Sequence, residues 1–359
     1  MTTVYLDTSV GINESFLRSE YFQAFLKACA ILQYTVVIPE IVVDELKGNF
    51  PKKLQEKLRV FQKATKDLSK LVNLNASLVP LSESVHIYSD WLEELIDRYG
   101  VLIAPYPDVS AKELVEQSYE LNKPFKGSGE GHKDYVVWKT IVMHIANPDT
   151  VPPTIFLTNN TQDFCELDDS KVPILHSYLS EQIDDPVRRP RVYTSIKAVF
   201  ASELSPHLEG ITLDDIPDLS AHDIDSMVGE FLLEDLPSRS LYGLEGVPFS
   251  NEISISSIGT HNIGSVSLKK VDDEVVIKIL GDIELEVDGF IDKSDYYMHE
   301  HLGSDIFVVD GDWNDHVMFV SSTVQTSFDL TIFYSTETGG SSGYEISLPQ
   351  EIEDEWPYK

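Results

Sequence analysis

Apolar and polar positions in the first half of the chain follow two alternating rhythms. Short apolar runs at 3–6, 35–38, 154–158 and 172–175 are rich in Val, Ile, Leu, Phe and Thr and are bounded by turn signals, as strands are. Between them apolar residues recur at helical spacing. Phe16, Leu17, Phe22, Phe25, Leu26 and Cys29 form one such stripe, and Leu54, Leu58, Phe61, Leu68 and Leu71 form another. Pro39 ends the second strand and opens a helix, a separate long helix is expected after Pro51, and further helices are expected over 84–99 and 110–120. The pattern predicts an α/β domain over residues 1–200, with a parallel sheet of at least four strands flanked by helices.

After residue 201 the rhythm changes. Residues 205–225 hold Pro206, Gly210, Pro217 and many acids, so 201–240 reads as an acidic linker containing a short helix at 223–233. From 251 onward the alternation has period two, with runs at 252–258, 265–269, 274–280, 283–291, 306–309, 317–320, 327–334 and 344–348. Gly311, Gly339, Gly340 and Gly343 fall between the later runs. About eight antiparallel strands imply a mostly antiparallel β domain over 241–359, a sandwich or small barrel, with a regulatory or assembly role.

Charge sharpens this division. The chain of 359 residues carries a formal net charge of −33. Residues 1–200 hold 21 Lys and Arg against 27 Asp and Glu, whereas residues 201–359 hold 6 against 33. The first half is nearly balanced. The second would repel a polyanion and is suited to solubility or to a basic or regulatory protein partner. No apolar run reaches the roughly 20 residues of a membrane helix, and the amino terminus enters a strand without a basic-then-apolar leader, so a cytoplasmic protein with no membrane partner is expected. Cys29 and Cys165 are too few for a disulfide framework or a cysteine zinc site. Self-association into a homo-oligomer stays open.

The chemistry lies in four acids. Asp7, Glu45 and Asp163 each follow a strand-like run, and Asp134 lies in Gly-Ser-Gly-Glu-Gly-His-Lys-Asp-Tyr-Val-Val-Trp. Carboxylates gathered at the carboxyl ends of parallel strands are hard-cation ligands, and cations so held usually act on phosphate. Each acid also has a plainer reading. Asp7 could cap the following helix, Asp134 could answer a helix dipole, and Asp163 could satisfy a turn. Glu45 competes with Asp44 and is preferred because Val42, Val43 and Leu46 set the buried side of its helix. The glycines between Phe125 and Gly131 would let backbone amides approach a phosphate, although the P-loop pattern is lacking. Lys126 and Lys133 are candidate phosphate contacts. His132 could stack on a base or simply pack. Lys52, Lys53, Lys57, Arg59, Lys63, Lys66 and Lys70 form a basic helix face that would suit a phosphate backbone or plain solvent.

Asp7-Thr8-Ser9, Glu45, Asp134 and the segment Thr158-Asn159-Asn160-Thr161-Gln162-Asp163-Phe164, in this order, resemble the PIN-domain nuclease superfamily. The stretch from Lys123-Pro124-Phe125-Lys126-Gly127 through Lys133-Asp134 to Trp138 is similar to a bacterial PIN-like group first catalogued as the domain of unknown function DUF4935. The resemblance covers about the first 200 residues. It implies that Asp7, Glu45, Asp134 and Asp163 are catalytic ligands of one or two Mg²⁺ or Mn²⁺ ions. Thr8, Ser9, Thr158 and Asn160 are then supporting hydrogen-bonders. It also implies an endoribonuclease that prefers single-stranded RNA, with DNA cleavage not excluded, in the setting of a bacterial toxin or phage-defence effector. His132 stands where the resembled group has an aromatic residue.

Two other classes compete. A catalytically inactive PIN-like scaffold or nucleic-acid-binding regulator would have no need to keep four mutually repelling carboxylates. Leu6-Asp7-Thr8-Ser9 loosely resembles the nucleophile motif of haloacid-dehalogenase phosphatases, but Ser9 stands where that chemistry needs a second aspartate. In the second half, His299-Glu300-His301 lacks a third metal ligand. Asp310, Asp312 and Asp315 around Gly311 read as a solvated turn rather than a calcium loop.

Overall fold

A computed structural model describes residues 2–72, 80–127, 129–217, 219–237, 239–241, 253–298 and 306–349. The chain divides into two units, Met1–Leu208 and Glu209–Lys359.

In the first unit, β1 (Thr3–Leu6) leads into α1 (Thr8–Asn13) and α2 (Glu20–Ile31). β2 (Thr35–Pro39) passes without a loop into α3 (Glu40–Leu68), and α4 (Leu81–Tyr99) returns to β3 (Leu102–Ala104). Next come α5 (Ala111–Glu120), α6 (His132–Ala146), β4 (Thr154–Leu157) and α7 (Thr161–Phe164). β5 (Cys165–Leu167), β6 (Pro173–Leu175), α8 (Ser177–Ser180), β7 (Arg191–Tyr193) and α9 (Ile196–Val199) close the unit. Ser19 and Ser110 cap α2 and α5 by accepting from the amides of Phe22 and Glu113. Gly100 ends α4 in the left-handed region at φ 60°.

Five strands pair in the order β3-β2-β1-β4-β7, every pair parallel. The expected α/β sheet is therefore present, flanked by helices. β1 and β4 are buried throughout, which explains their continuous apolar runs. The chain steps from β1 to β2 and β3 on one side, then crosses to β4 on the other. The carboxyl ends of β1 and β4 thus form the switch point at which open parallel sheets bind ligands.

Three expectations need correction. The run at 172–175 lies outside this sheet, because Pro173–Leu175 pairs antiparallel with Cys165–Leu167. Leu102–Ala104 and Arg191–Tyr193 take sheet positions instead. The helices after Pro39 and Pro51 are one, with Pro51 inside it, and Leu54 to Leu71 are not buried; Leu71 is 82% exposed.

The second unit begins with β8 (Gly210–Ile211), α10 (Ala221–Asp235) and β9 (Ser240–Leu241). The long strands β10 (Ile253–Val271) and β11 (Glu274–Asp292) follow, then α11 (Lys293–Met298), β12 (Ile306–Asp310), β13 (Val317–Ser335) and β14 (Gly340–Ser347). They make an antiparallel sheet in the order β12-β13-β11-β10-β8, with β14 on β13 and β9 on β10. The expected sandwich or barrel is a single sheet, since runs read as separate strands join into long ones. In β10 the register shifts at Ile255/Ser257, Ile258/His261 and Ile263/Ser265 break the alternation, whereas β11 and β13 pair with each other without a shift. Ile224, Val228 and Leu232 of α10 share one core with Ile277, Ile279, Leu285 and Val287 of β11. Ile216, Leu219 and Leu236 join that core, so 209–240 builds the second unit rather than linking two domains. His299-Glu300-His301 lies outside the described residues. Asp310, Asp312 and Asp315 are exposed, and Asp310 Oδ1 accepts from the Asp312 amide at 2.9 Å.

Candidate functional site

Asp7 follows β1 at the switch point, and its amide donates to Leu157 O of β4 at 3.0 Å. It occupies the N-cap position of α1, yet its carboxylate makes no capping bond. Asp7 Oδ2 instead accepts from Ser9 Oγ at 2.5 Å and Thr158 Oγ1 at 2.8 Å. Asp7 and Thr158 are both buried. Burial pushes the Asp7 carboxyl above its ordinary range, the three hydroxyl and amide donors from Ser9, Thr158 and Thr8 oppose that, and nearby Glu45 adds to it.

Glu45 sits in the second turn of α3, which starts directly from Pro39 at the end of β2. Thr8 Oγ1 donates to its Oε2 at 2.6 Å, and Lys133 Nζ pairs with its Oε1 at 2.6 Å. A Cβ on Gly11 would lie 2.9 Å from Leu46, so the absence of a side chain there lets α1 lie close on α3 and brings Thr8 to Glu45. Asp44 faces elsewhere, accepting from Tyr106 Oη at 2.8 Å.

Asp134 stands in the first turn of α6 and Asp163 in α7. Asn160 binds both, its Nδ2 donating to Asp134 Oδ1 at 3.1 Å and Asp163 Oδ2 at 2.9 Å. Asp163 is buried, and Lys126 Nζ pairs with its Oδ2 at 2.9 Å. That pairing holds the Lys126 ammonium above its ordinary pKa. Asp134 is raised to about 7, by burial first and then by the charges of Asp7, Asp163 and Glu45. Asp134 therefore feels the other three acids, and Asn160 bridges it to Asp163.

The loop before α6 is set by Gly131, whose φ is 118° and whose added Cβ would lie 2.6 Å from Pro124 O. Gly131 thereby fixes where Asp134 enters. The amides of Lys126 and Gly129 donate to Glu130 O and Lys126 O, so these two are not turned out as a phosphate cradle. His132 packs edge-on against Phe125, with ring centroids 5.2 Å apart. Lys123 Nζ bonds Gln162 O and ties this loop to α7.

The donor set suits a hard cation. Asp134 lies in the field of Asp7, Asp163 and Glu45, and Asp163 Oδ1 is buried without any hydrogen-bond partner. Among the described residues, however, no three acidic, His or Cys side chains stand in a cation-holding arrangement. Lys126 and Lys133 take up one oxygen each of Asp163 and Glu45. Tyr106 escaped sequence reasoning. Its hydroxyl donates to Asp44 and is pushed up to about 12 by loss of hydration and then by Asp44, Glu40 and Glu45, although the residue is 46% exposed. The run 102–106 is too short for a periodic signal, so nothing in the sequence pointed to it.

A five-stranded parallel sheet bearing acids at its switch point is a PIN-like architecture. Residues 4–164 match the family model described as PIN domain, which supports placing this part of the chain in the PIN-domain superfamily. No curated protein and no solved structure matches the chain. PIN domains are in general metal-dependent nucleases that act on nucleic acid, and this supports a nuclease at that coarse level. No helix among the described residues is long and apolar enough to cross a membrane.

Proposed function

We propose that the first unit is a divalent-metal-dependent endonuclease. The observation that carries the reading is the orphaned Asp163 Oδ1 beside Asp134, a carboxyl lifted to about 7 by burial and three neighbouring acids. Burying so much like charge costs stability and is understandable if a cation is to be held there. Asp7, Glu45, Asp134 and Asp163 would hold Mg²⁺ or Mn²⁺. When bound, such an ion supplies Lewis acidity towards a phosphodiester and lowers the pKa of water.

The remaining work falls to the chain's own groups. Ser9 and Thr158 fix the Asp7 carboxylate, Thr8 fixes Glu45, and Asn160 spans Asp134 and Asp163. Lys126 and Lys133 are the cations that can turn from Asp163 and Glu45 to the phosphate of a bound strand. RNA as the substrate, a toxin or phage-defence setting and kinship with the DUF4935 group rest on the sequence resemblance. We assign the acidic second unit a regulatory or assembly role.

A second reading is favoured by the two lysine–carboxylate pairs, which neutralise part of the cluster without metal, as an inactive scaffold would. Cleavage of matched single-stranded RNA and DNA with Mn²⁺, Mg²⁺ or EDTA separates the two. The nuclease reading expects metal-dependent cutting that Asp7→Asn abolishes in a folded protein. Absence of cutting together with no Mn²⁺ heat by calorimetry would leave the scaffold.

A further inference from the structure

The second half of α3 has no place in the core. No residue from 51 to 68 is buried, and Val60, Phe61 and Leu68 are 63%, 43% and 48% exposed. Residues 51–70 nonetheless hold seven Lys and Arg, against only Glu56 and Asp67, in a chain with 27 Lys and Arg in all. A quarter of the chain's cations therefore sit on one exposed arm, although the chain as a whole is strongly acidic.

Their placement around the helix is not even. At 3.6 residues per turn, Lys52, Arg59, Lys63 and Lys66 all fall within about 60° of the direction of Glu45, whereas Lys53 and Lys57 point away from it, and Lys70 follows the end of the helix. Lys52 bonds Asn49 Oδ1 at 3.2 Å and Lys70 pairs with Asp67 at 2.7 Å. Among the described residues, Arg59, Lys63 and Lys66 have no ion-pair partner. One continuous helix thus begins in the carboxylate cluster and carries a row of cations outward on the same face. From Glu45 to Lys66 the row spans about 32 Å.

Resting on the nuclease reading, we propose that this row is a track for the sugar–phosphate backbone of the substrate strand, which delivers the scissile bond to the four acids. A row of unpaired cations on a rigid helix releases condensed counterions together when a strand lies along it. The strand must be long enough to reach from Glu45 to Lys63 and Lys66. At the helical rise of about 3.4 Å per nucleotide this takes roughly eight nucleotides, and fewer in an extended strand, so only oligonucleotides of very few nucleotides lose the track.

The test compares wild type with a triple Arg59→Gln, Lys63→Gln, Lys66→Gln variant and with a Lys53→Gln, Lys57→Gln control on the other side of the same helix. Gln keeps the helix, and circular dichroism checks it. Fluorescence anisotropy in EDTA follows labelled single-stranded RNA of about 20 and about 3 nucleotides across a salt series. The triple variant should bind the long strand about tenfold more weakly, with a log–log salt slope shallower by about 2, and the short strand unchanged. With Mn²⁺, cutting of the long strand should slow and cutting of the short one should not. The track is overturned if the triple variant binds the long strand as wild type does, if the control loses as much, or if wild type binds no strand. Track-dependent binding without cutting would refute only the nuclease reading. Cutting with track-independent binding would refute only the track.

Discussion

At the scale of single residues, the site pays for function in stability. Asp134 is confined with three like charges, and Asn160 donates to its Oδ1. Asp134→Asn keeps an acceptor for Asn160 and removes the charge. The variant should be more stable than wild type without metal by about 1 kcal/mol or more, roughly 2–4 °C in melting temperature. Its metal-dependent cleavage should fall by about 10²-fold or more. Thermal melts in EDTA, paired with a cleavage assay, check both, and a destabilised variant would show that the carboxylate is serving the fold.

His144 gives a pH prediction elsewhere in the first unit. Its Nδ1 lies 2.9 Å from Tyr5 Oη and 3.3 Å from Thr150 Oγ1, and burial holds the imidazole below its ordinary pKa. The unfolded chain therefore takes up this proton first. The His144 contribution to stability should fall as pH drops through about 6.5 and level off below the folded-state value, opposite in sign to that of Asp134, whose raised pKa makes the folded chain take up a proton first. Urea unfolding of wild type and His144→Gln between about pH 5 and 8 tests it: the stability of wild type minus that of the variant, in which Asp134 cancels, should decrease as pH falls, and a difference independent of pH would refute it.

At the scale of elements, Gly131 and Gly129 separate two causes of strain. Both have positive φ, 118° and 79°, but a Cβ at Gly131 meets Pro124 O at 2.6 Å whereas one at Gly129 meets nothing within 4 Å. Gly129→Ala should cost about 1 kcal/mol and Gly131→Ala about 2–3 kcal/mol, because the second also pushes α6 off the loop that aims Asp134. Urea midpoints rank them, and equal costs would remove the steric part of the argument.

Elements were legible in the sequence where burial was complete. β1, β2 and β4 are fully or almost fully buried and read as continuous apolar runs. β3 and β7 have three residues each and are partly exposed, too short and too mixed for any periodicity to reveal. The stripe from Leu54 to Leu71 has sound helical spacing but is at most half-buried among the described residues, since spacing reports a face and not its partner. Choosing Glu45 over Asp44 followed from Val42 and Leu46, both buried, which turn Glu45 towards Thr8. The lysine pairing of Asp163 and Glu45 and the field around Tyr106 could not be read, because they depend on distances across segments far apart in the chain.

At the scale of the whole molecule, charge is divided against the proposed substrate. Residues 201–359, with 6 Lys and Arg against 33 acids, account for most of the net −33, while every candidate site residue lies in the first unit. A polyanion approaching α3 therefore meets an attractive row of cations within a repulsive mean field. These act over different ranges. Contacts of phosphate with Arg59, Lys63 and Lys66 are short, whereas repulsion from the acidic half is felt only within a few Debye lengths, each about 10 Å at 0.1 M salt. A fragment ending at Leu208 keeps the parallel sheet and its core, so it should remain folded by circular dichroism. It should bind single-stranded RNA more tightly than the full chain at about 0.05 M salt, by roughly tenfold, with the advantage fading towards about 0.5 M as screening removes the repulsion. An advantage that persists at high salt would mean that the acidic unit hinders the strand by occupying space rather than by its field. A fragment that binds more weakly at every salt concentration would mean that the second unit contributes to binding despite its charge.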